Sequence, residues 1–254
     1  MLAVRNLAVR FGGVTALEGV SFDVRPGSIT SVIGPNGAGK TTAFNAITGY
    51  LRPTGGRVSY DGVTLTGLRP SAIAQRGIVR TFQRTSVFPS LSVEDNVMTG
   101  LHLRGTAGFL AVLLGRRRLA DEERHLASDA VAIIEFVGLA HRRREAASAL
   151  PYGEQRLVEL ALALAARPRV LLLDEPGAGM TGAEKTVVSG LIRKVREQNV
   201  TILLVEHDMR MVMGISDTVI VLNGGRVIAE GAPAEIQAHP DVIRAYLGAS
   251  HGSA

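Results

Sequence analysis

The stretch SITSVIGPNGAGKTTAFNAITGY, residues 28–50, decides the fold. It begins with a β-branched apolar run that is typical of a buried parallel strand. A glycine-rich loop follows, and from Lys40 onward the sequence favours a helix. Residues 34–41 fit the pattern G-x-x-x-x-G-K-[ST]. In this pattern glycines let the backbone point its N–H groups at an anion, and the helix adds its positive N-terminal end. Because a strand precedes the loop and a helix follows it, the sequence predicts a phosphate-binding loop.

The side chains of this phosphate loop, residues 34–42, have distinct expected roles. We expect Lys40 to reach the β- and γ-phosphates of a nucleotide and the Thr41 hydroxyl to bind Mg²⁺. The residues predicted to contact the nucleotide are Gly34, Asn36, Gly37, Ala38, Gly39, Lys40, Thr41 and Thr42.

A second apolar run, VLLLDEP, ends in two carboxylates, Asp174 and Glu175. Open α/β sheets place their ligands at the carboxyl ends of strands, where these carboxylates fall. We expect Asp174 to hold Mg²⁺ and Glu175 to act as general base toward the attacking water. On their own the two would be read as exposed carboxylates at a strand end. The phosphate loop upstream favours the catalytic interpretation.

Two further polar residues are candidates. His207 ends the run TILLVEHD, a third strand of the same kind, at the edge where the nucleotide is expected. A lone histidine is more often a surface residue, but this position favours an active role. Gln83 follows a short predicted strand, and an amide can orient water or complete a Mg²⁺ shell. On chemistry alone, an ordinary loop amide is the simpler interpretation of Gln83.

Composition bounds the class of protein. The chain has 254 residues, 46% of them hydrophobic, and no cysteine, which excludes a disulfide framework and thiolate chemistry. The formal net charge is +5. Arginines cluster at residues 116–118 and 142–144, and we interpret both clusters as solvated surface patches. No apolar run approaches the roughly 20 residues that cross a bilayer. We therefore expect a soluble chain that reaches a membrane only through partners.

Alternation of strands and helices predicts an α/β fold with a mostly parallel core sheet. The opening LAVRNLAVRF and VSFDV read as paired antiparallel strands, which predicts an N-terminal antiparallel β subdomain. We expect one domain over residues 1–248. Its parts are a core with the β subdomain over 1–91 and 167–231, a helical subdomain over 92–166, a C-terminal helical segment over 232–248, and a tail over 249–254. Ser92 and Asp95 suit a capping box at the start of the helical subdomain.

Taken together, these motifs resemble the ATP-binding subunit of an ABC transporter, over nearly the whole chain. In that family's pattern Phe11 matches the aromatic residue that stacks on adenine, Gln83 the glutamine of the Q-loop, and His207 the switch histidine. Residues 177–180, GAGM, match the D-loop. The resemblance implies a P-loop NTPase fold, hydrolysis of ATP with Mg²⁺, and a head-to-tail dimer that holds two ATP molecules. Each phosphate loop then faces the partner's signature motif.

That signature is where this sequence departs from the family. The usual form is L-S-G-G-Q, and here residues 150–155 read LPYGEQ. Pro151 replaces a serine whose hydroxyl would reach the γ-phosphate bound by the partner, and proline has neither a hydroxyl nor an N–H. Gly153 and the N-terminus of the next helix remain, so we expect Gly153 to contact the nucleotide.

Within the family, RFGGVTAL, GIVRTFQ, EHDMRMVMGISD and DVIRAYLG are similar to the branched-chain amino acid importers. The resemblance implies import of a small solute, most simply branched-chain amino acids, with importers of urea or amides as the alternative. It implies two integral membrane permease subunits, a second ATP-binding subunit (a related chain or a second copy), and an extracytoplasmic solute-binding protein. It places the chain peripherally, on the cytoplasmic face of a bacterial-type plasma membrane. We expect no nucleic-acid partner.

Two alternatives remain beside the importer. A soluble ABC-type ATPase acting on nucleic acid or ribosomes usually carries two cassettes or long coiled-coil arms, and this chain has one phosphate loop and no sustained heptads. An interaction protein with an inactive nucleotide site is the other alternative, and the presence of all the motif residues argues against it. The segment AGFLAVLLGRRR, residues 107–118, reads as a helix packing on its subdomain or as a contact with a membrane subunit or lipid headgroups.

Overall fold

The computed structural model of the chain describes residues 1–81, 87–102 and 116–248. Gln83, most of the segment 107–118 and the tail 249–254 lie outside these ranges. The chain divides into two compact units. The composite unit joins Met1–Arg80 to the chain from Arg169 onward, and the inserted unit is Thr81–Pro168. The finer domain bounds expected from the sequence stay a prediction.

The strands described in the composite unit form two sheets. They are β1 (Leu2–Phe11), β2 (Val14–Val24), β3 (Ile29–Ile33), β4 (Gly55–Tyr60), β5 (Val63–Thr64), β6 (Ile78–Arg80), β7 (Val170–Asp174), β8 (Thr201–Val205), β9 (Thr218–Asn223) and β10 (Arg226–Gly231). One sheet has the order β2-β1-β4-β5 and is antiparallel. The other has the order β10-β9-β3-β8-β7-β6, with β10 antiparallel to β9 and the other pairs parallel.

The described helices complete both units. In chain order they are α1 (Lys40–Ile47), α2 (Pro70–Ala74), α3 (Val93–His102), α4 (Arg116–Phe136), α5 (Tyr152–Ala165), α6 (Gly182–Glu197), α7 (Met209–Ile215), α8 (Pro233–Ala238) and α9 (Pro240–Gly248). Helices α3, α4 and α5 lie in the inserted unit and the rest in the composite unit. No helix of the described ranges is both long enough and apolar enough to span a bilayer.

Burial explains why the central strands read as continuous apolar runs. Every residue of β3, β7 and β8 is buried, because both faces of the sheet are covered. One face shares a core with α1 and the antiparallel sheet, centred on Phe44. The other packs against α7, α8 and α9 through Val212, Ile236 and Val242. Full burial of a side chain such as Phe44 stabilises the fold by about 1.5–3 kcal/mol. The predicted α/β architecture is therefore confirmed.

The predicted cap at the start of α3 is present. The Ser92 hydroxyl accepts a hydrogen bond from the backbone N–H of Asp95 at 3.0 Å and donates to the Asp95 carboxylate at 2.6 Å. The cap fixes the first turn of α3, which packs on α4 and α5. The arginine cluster at 142–144 differs from the expected solvated patch. Arg142 binds Glu145 and Glu154, and Arg143 binds Glu94 with two hydrogen bonds.

Candidate nucleotide-binding site

The register of the core sheet brings the predicted motifs to one edge. Val32 of β3 and Asp174 of β7 both pair with Val205 of β8. Gly34, the first residue of the phosphate loop, therefore lies two residues past Val32, which is level with Asp174. His207 likewise lies two residues past Val205. Because the three strands are parallel, their carboxyl ends open on the same side. The structure thus brings together the loop, the two carboxylates and the histidine.

Backbone geometry explains the glycines of the phosphate loop. Gly34 has φ +148°, and a Cβ there would lie 2.1 Å from the carbonyl oxygen of Leu222 in β9. Gly39 has φ +101°, and a Cβ there would lie 2.6 Å from Leu17 Cδ2. Gly37 has φ +79° but open space around it. Packing against β2 and β9 therefore demands Gly34 and Gly39, whereas conformation alone demands Gly37.

The N-terminus of α1 is suited to bind an anion. Gly39 is its N-cap, with no side chain capping the helix and no acidic residue in its first turn. Lys40 Nζ donates hydrogen bonds to the carbonyl oxygens of Gly34 at 2.7 Å and Pro35 at 3.0 Å. Burial lowers the pKa of Lys40, while the charges of Glu175 and Asp174 act in the opposite direction. The lysine therefore lies close enough to both carboxylates for their charges to raise its pKa.

Asp174 is held by an arginine that sequence reasoning missed. Arg80, the last residue of β6, donates to the Asp174 carboxylate at 2.6 Å, and both side chains are almost fully buried. Arg80 also donates to Asn45 Oδ1 at 2.6 Å and lies over the ring of Phe44 at 5.5 Å. The guanidinium therefore joins the Mg²⁺-site candidate to the helix that follows the phosphate loop. The available signal was a charged residue ending an apolar strand, in GIVRTFQ.

Glu175 stands in a strained backbone position. Its φ is +50°, in the left-handed region that non-glycine residues rarely adopt. Its N–H donates to the carbonyl oxygen of Val205 at 2.8 Å, which fixes the turn against β8. The side chain is only partly buried, so its carboxylate retains access to water. Such strain is typical of residues whose placement is required by function.

His207 is the exposed member of the cluster. Its side chain is 62% exposed, and its Nδ1 lies 3.2 Å from Oε1 of Glu206, whose side chain is fully buried. Sequence reasoning also missed Glu206, although a carboxylate next to a strand-end histidine was a visible signal.

Phe11 and Gly153 are the remaining described candidates for contact with the nucleotide. Phe11 ends β1, pairs with Val14 across the hairpin and is half exposed, as a residue available for stacking would be. Gly153 is buried in the first turn of α5, in the inserted unit. Their contact with a nucleotide stays a prediction. So do the roles of Gln83, which lies outside the described residues, and of the other loop residues.

The signature segment, residues 150–155, forms the start of α5. Pro151 is the N-cap and supplies no side-chain hydrogen bond. Glu154, in the first turn, accepts a hydrogen bond from Arg142 Nε at 3.1 Å and lies 3.8 Å from His141 Nε2. Arg156 stacks on the Tyr152 ring at 5.2 Å. This helix start therefore already carries one ion-paired acidic side chain.

Comparison with known proteins identifies the family. A family model described as "ABC transporter" matches residues 17–178, and one described as "Branched-chain amino acid ATP-binding cassette transporter" matches residues 226–252.

Two curated relatives match over almost their full length. The chain is 43% identical to the high-affinity branched-chain amino acid transport ATP-binding protein BraF of Pseudomonas aeruginosa, over 98% of each chain. It is 42% identical to LivG of Escherichia coli K12, which carries the same description, over 98% of each. A solved ATP-binding cassette of an ABC transporter in its ADP conformation superposes with a TM-score of 0.85 at 30% identity, over 98% of both chains. This chain belongs to the ABC transporter family of ATP-binding proteins.

Proposed function

We propose that this chain is the ATP-hydrolysing subunit of an importer of branched-chain amino acids. The observation that carries the proposal is the convergence of the phosphate loop, Asp174, Glu175 and His207 on one edge of the sheet. Similarity over 98% of the chain to BraF and LivG, both described as high-affinity branched-chain amino acid transport proteins, supports the solute class. Importers of urea or amides remain the alternative.

The chemistry follows from the residues at this edge. Lys40 exchanges its bonds to the loop carbonyls for the β- and γ-phosphates of ATP, since a phosphate is the stronger partner for a half-buried ammonium. Oxygen donors suit Mg²⁺, and the Thr41 hydroxyl, the Asp174 carboxylate and Gln83 would hold it. When bound, the ion offsets the charge of the phosphates. Glu175 takes a proton from the attacking water, and His207 contacts the γ-phosphate.

Closure of a head-to-tail dimer couples ATP to transport. In it the phosphate loop of one cassette faces the signature segment of the other, with Phe11 stacked on adenine and Gly153 near the γ-phosphate. ATP favours the closed state because it contacts both faces, and hydrolysis removes that preference. The partner cassette is a related chain or a second copy.

The remaining partners complete the transporter. Two integral membrane permease subunits receive the motion of the cassettes on the cytoplasmic face of the plasma membrane. An extracytoplasmic binding protein delivers the solute.

Purification from native membranes in mild detergent tests this function. We expect two membrane subunits and a second ATP-binding chain to accompany the protein. The binding protein encoded with them is then titrated with leucine, isoleucine, valine and urea. Binding of the three amino acids supports the proposal, whereas binding of urea alone selects the alternative solute. Recovery of only soluble or nucleic-acid partners would overturn the transporter function.

A further inference from the structure

Glu206 is a buried carboxylate to which the proposed chemistry gives no role. It is 1% exposed, and a carboxyl group at such a depth needs hydrogen-bond partners. Its Oε1 accepts hydrogen bonds from the backbone N–H groups of His207 at 2.8 Å and Asp208 at 3.2 Å. Its Oε2 accepts one from the backbone N–H of Gly177 at 3.1 Å. Three hydrogen bonds from backbone N–H groups thus offset the desolvation of this carboxyl group.

These bonds connect two functional segments. Gly177 opens the loop 177–180, which follows the catalytic carboxylates and resembles the D-loop. His207 is the switch-histidine candidate, and its ring Nδ1 lies 3.2 Å from Glu206 Oε1. One side chain therefore bonds to the backbone of both segments and reaches the ring of the histidine.

Gly177 shows how closely the loop approaches Glu206. A Cβ at this position would lie 3.0 Å from Glu206 Oε2 and 3.2 Å from the sulfur of Met211. The φ of Gly177 is not in the left-handed region, so backbone conformation does not require glycine. A side chain here would instead require the Glu206 carboxylate to shift by a few tenths of an ångström.

Asp208, which follows His207 in sequence, also bonds to the chain just after the loop 177–180. Its carboxylate accepts from Lys185 Nζ of α6 at 2.7 Å and from the backbone N–H of Met211 at 3.1 Å, which caps α7. His207 is thus flanked by two carboxylates, one bonded to the loop before α6 and one to α6 itself. Residues on both sides of His207 therefore bond to the stretch 177–185.

We propose that Glu206 is a positioning residue that couples the loop 177–180 to the orientation of His207. The inference rests on the proposed function, in which His207 contacts the γ-phosphate. By accepting from Nδ1–H, Glu206 fixes the ring plane and leaves Nε2 for the phosphate. Because the same carboxylate holds Gly177, the histidine adopts its working orientation only while the loop 177–180 keeps its own.

Two variants remove the coupling from opposite ends. Glu206→Gln replaces one acceptor oxygen by an N–H donor, so the amide cannot accept from Nδ1, Gly177 and the strand-end amides together. Gly177→Ala keeps the carboxylate but displaces it. We expect each to lower ATP turnover of the purified transporter on the order of 10- to 100-fold, the usual range for such a partner, while ATP affinity changes little. Glu159→Gln, at a buried carboxylate paired with Arg156 in α5, and Gly182→Ala, at an open glycine, are the matched controls.

The ring itself supplies the readout that a purely structural role would not change. With ¹⁵N-labelled histidine in the full chain, the nitrogen shifts of His207 report which ring nitrogen carries hydrogen. We expect the Nδ1–H form in the unaltered chain and a shift toward Nε2–H in both variants, but not in the controls. Normal turnover and unchanged shifts in both variants would overturn the inference.

His207→Ala separates this inference from the function on which it rests. If His207→Ala is inactive while both variants are normal, only the coupling by Glu206 fails. If His207→Ala turns over ATP at the unaltered rate, the proposed contact of His207 fails, and the coupling fails with it.

Discussion

The starts of helices α1 and α5 both present backbone N–H groups that attract anions, but the charges of the side chains beside them are opposite. At α1, glycines shape the loop, no acidic residue enters the first turn, and Lys40 adds a positive charge. At α5, Pro151 holds the N-cap and Glu154 places a negative charge in the first turn. A helix N-terminus attracts anions through its exposed N–H groups, and a nearby carboxylate satisfies part of that attraction. We therefore expect the first to bind phosphate by itself and the second only to assist.

From this comparison we expect most of the chemistry in the composite unit and an effect on closure from the inserted unit. Among the described candidates, Lys40, Asp174, Glu175 and His207 all lie at the edge of the core sheet that carries the phosphate loop. The signature segment contributes a buried glycine and a helix end whose charge is already balanced by Arg142. Changes near the first should therefore alter turnover by orders of magnitude, and changes near the second by small factors.

Glu175→Gln gives the largest expected effect. The amide keeps the size of the side chain but cannot accept a proton, so turnover should fall by about 10²- to 10⁴-fold, the usual contribution of a general base. ATP binding should persist, measured by equilibrium titration beside Glu197→Gln at the exposed end of α6. Turnover close to that of the unaltered chain would remove Glu175 from its role.

Arg80→Gln should give the next largest effect, on the free energy of unfolding rather than on turnover. Loss of one partner from a buried ion pair costs about 3–5 kcal/mol, because the remaining charge stays buried. Arg169→Gln is the matched control, since its pair with Asp61 is exposed and worth about 0–1 kcal/mol. Urea unfolding of both variants measures the difference. Equal losses would show that Arg80 has no special part in holding Asp174.

Gly34→Ala and Gly37→Ala separate packing from conformation in the phosphate loop. At Gly34 the new Cβ meets the Leu222 carbonyl at 2.1 Å, so the loop must move and nucleotide binding should be lost. At Gly37 the space is open, and only the left-handed strain of about 1–2 kcal/mol remains. Titration with ATP should therefore rank Gly37→Ala between Gly34→Ala and the unaltered chain. The reverse ranking would contradict the packing argument.

The sequence predicted those features that a local pattern encodes. The run before Gly34 gave β3, the run before Asp174 gave β7, and the Ser92 cap was read from a three-residue spacing. Arg80 and Glu206 were missed because their importance arises from pairing across strands. Arg80 meets Asp174 only when β6 lies beside β7, and Glu206 meets Gly177 only when β8 lies beside β7. No spacing along the chain encodes either contact.

Pro151→Ser gives the smallest expected effect and tests the weaker side of the comparison. The backbone at Pro151, with φ −54° and ψ 152°, accepts serine without strain. Serine would complete an S-x-x-E capping box with Glu154, worth about 0.5–2 kcal/mol, against roughly 0.4–1 kcal/mol lost because the unfolded chain becomes more flexible. Stability should therefore change little in urea unfolding.

The hydroxyl that Pro151→Ser restores should still reach the γ-phosphate held by a partner cassette, because a serine oxygen can accept from the helix and donate to an anion together. We expect apparent ATP affinity of the assembled transporter to rise a few-fold, on the order of one neutral hydrogen bond. Pro53→Ser, in an exposed loop of the composite unit, controls for loss of a proline. An affinity gain in the isolated cassette, titrated at a concentration too low for two copies to pair, would place the effect in the cassette's own fold. A gain confined to the transporter would assign the signature segment to closure alone.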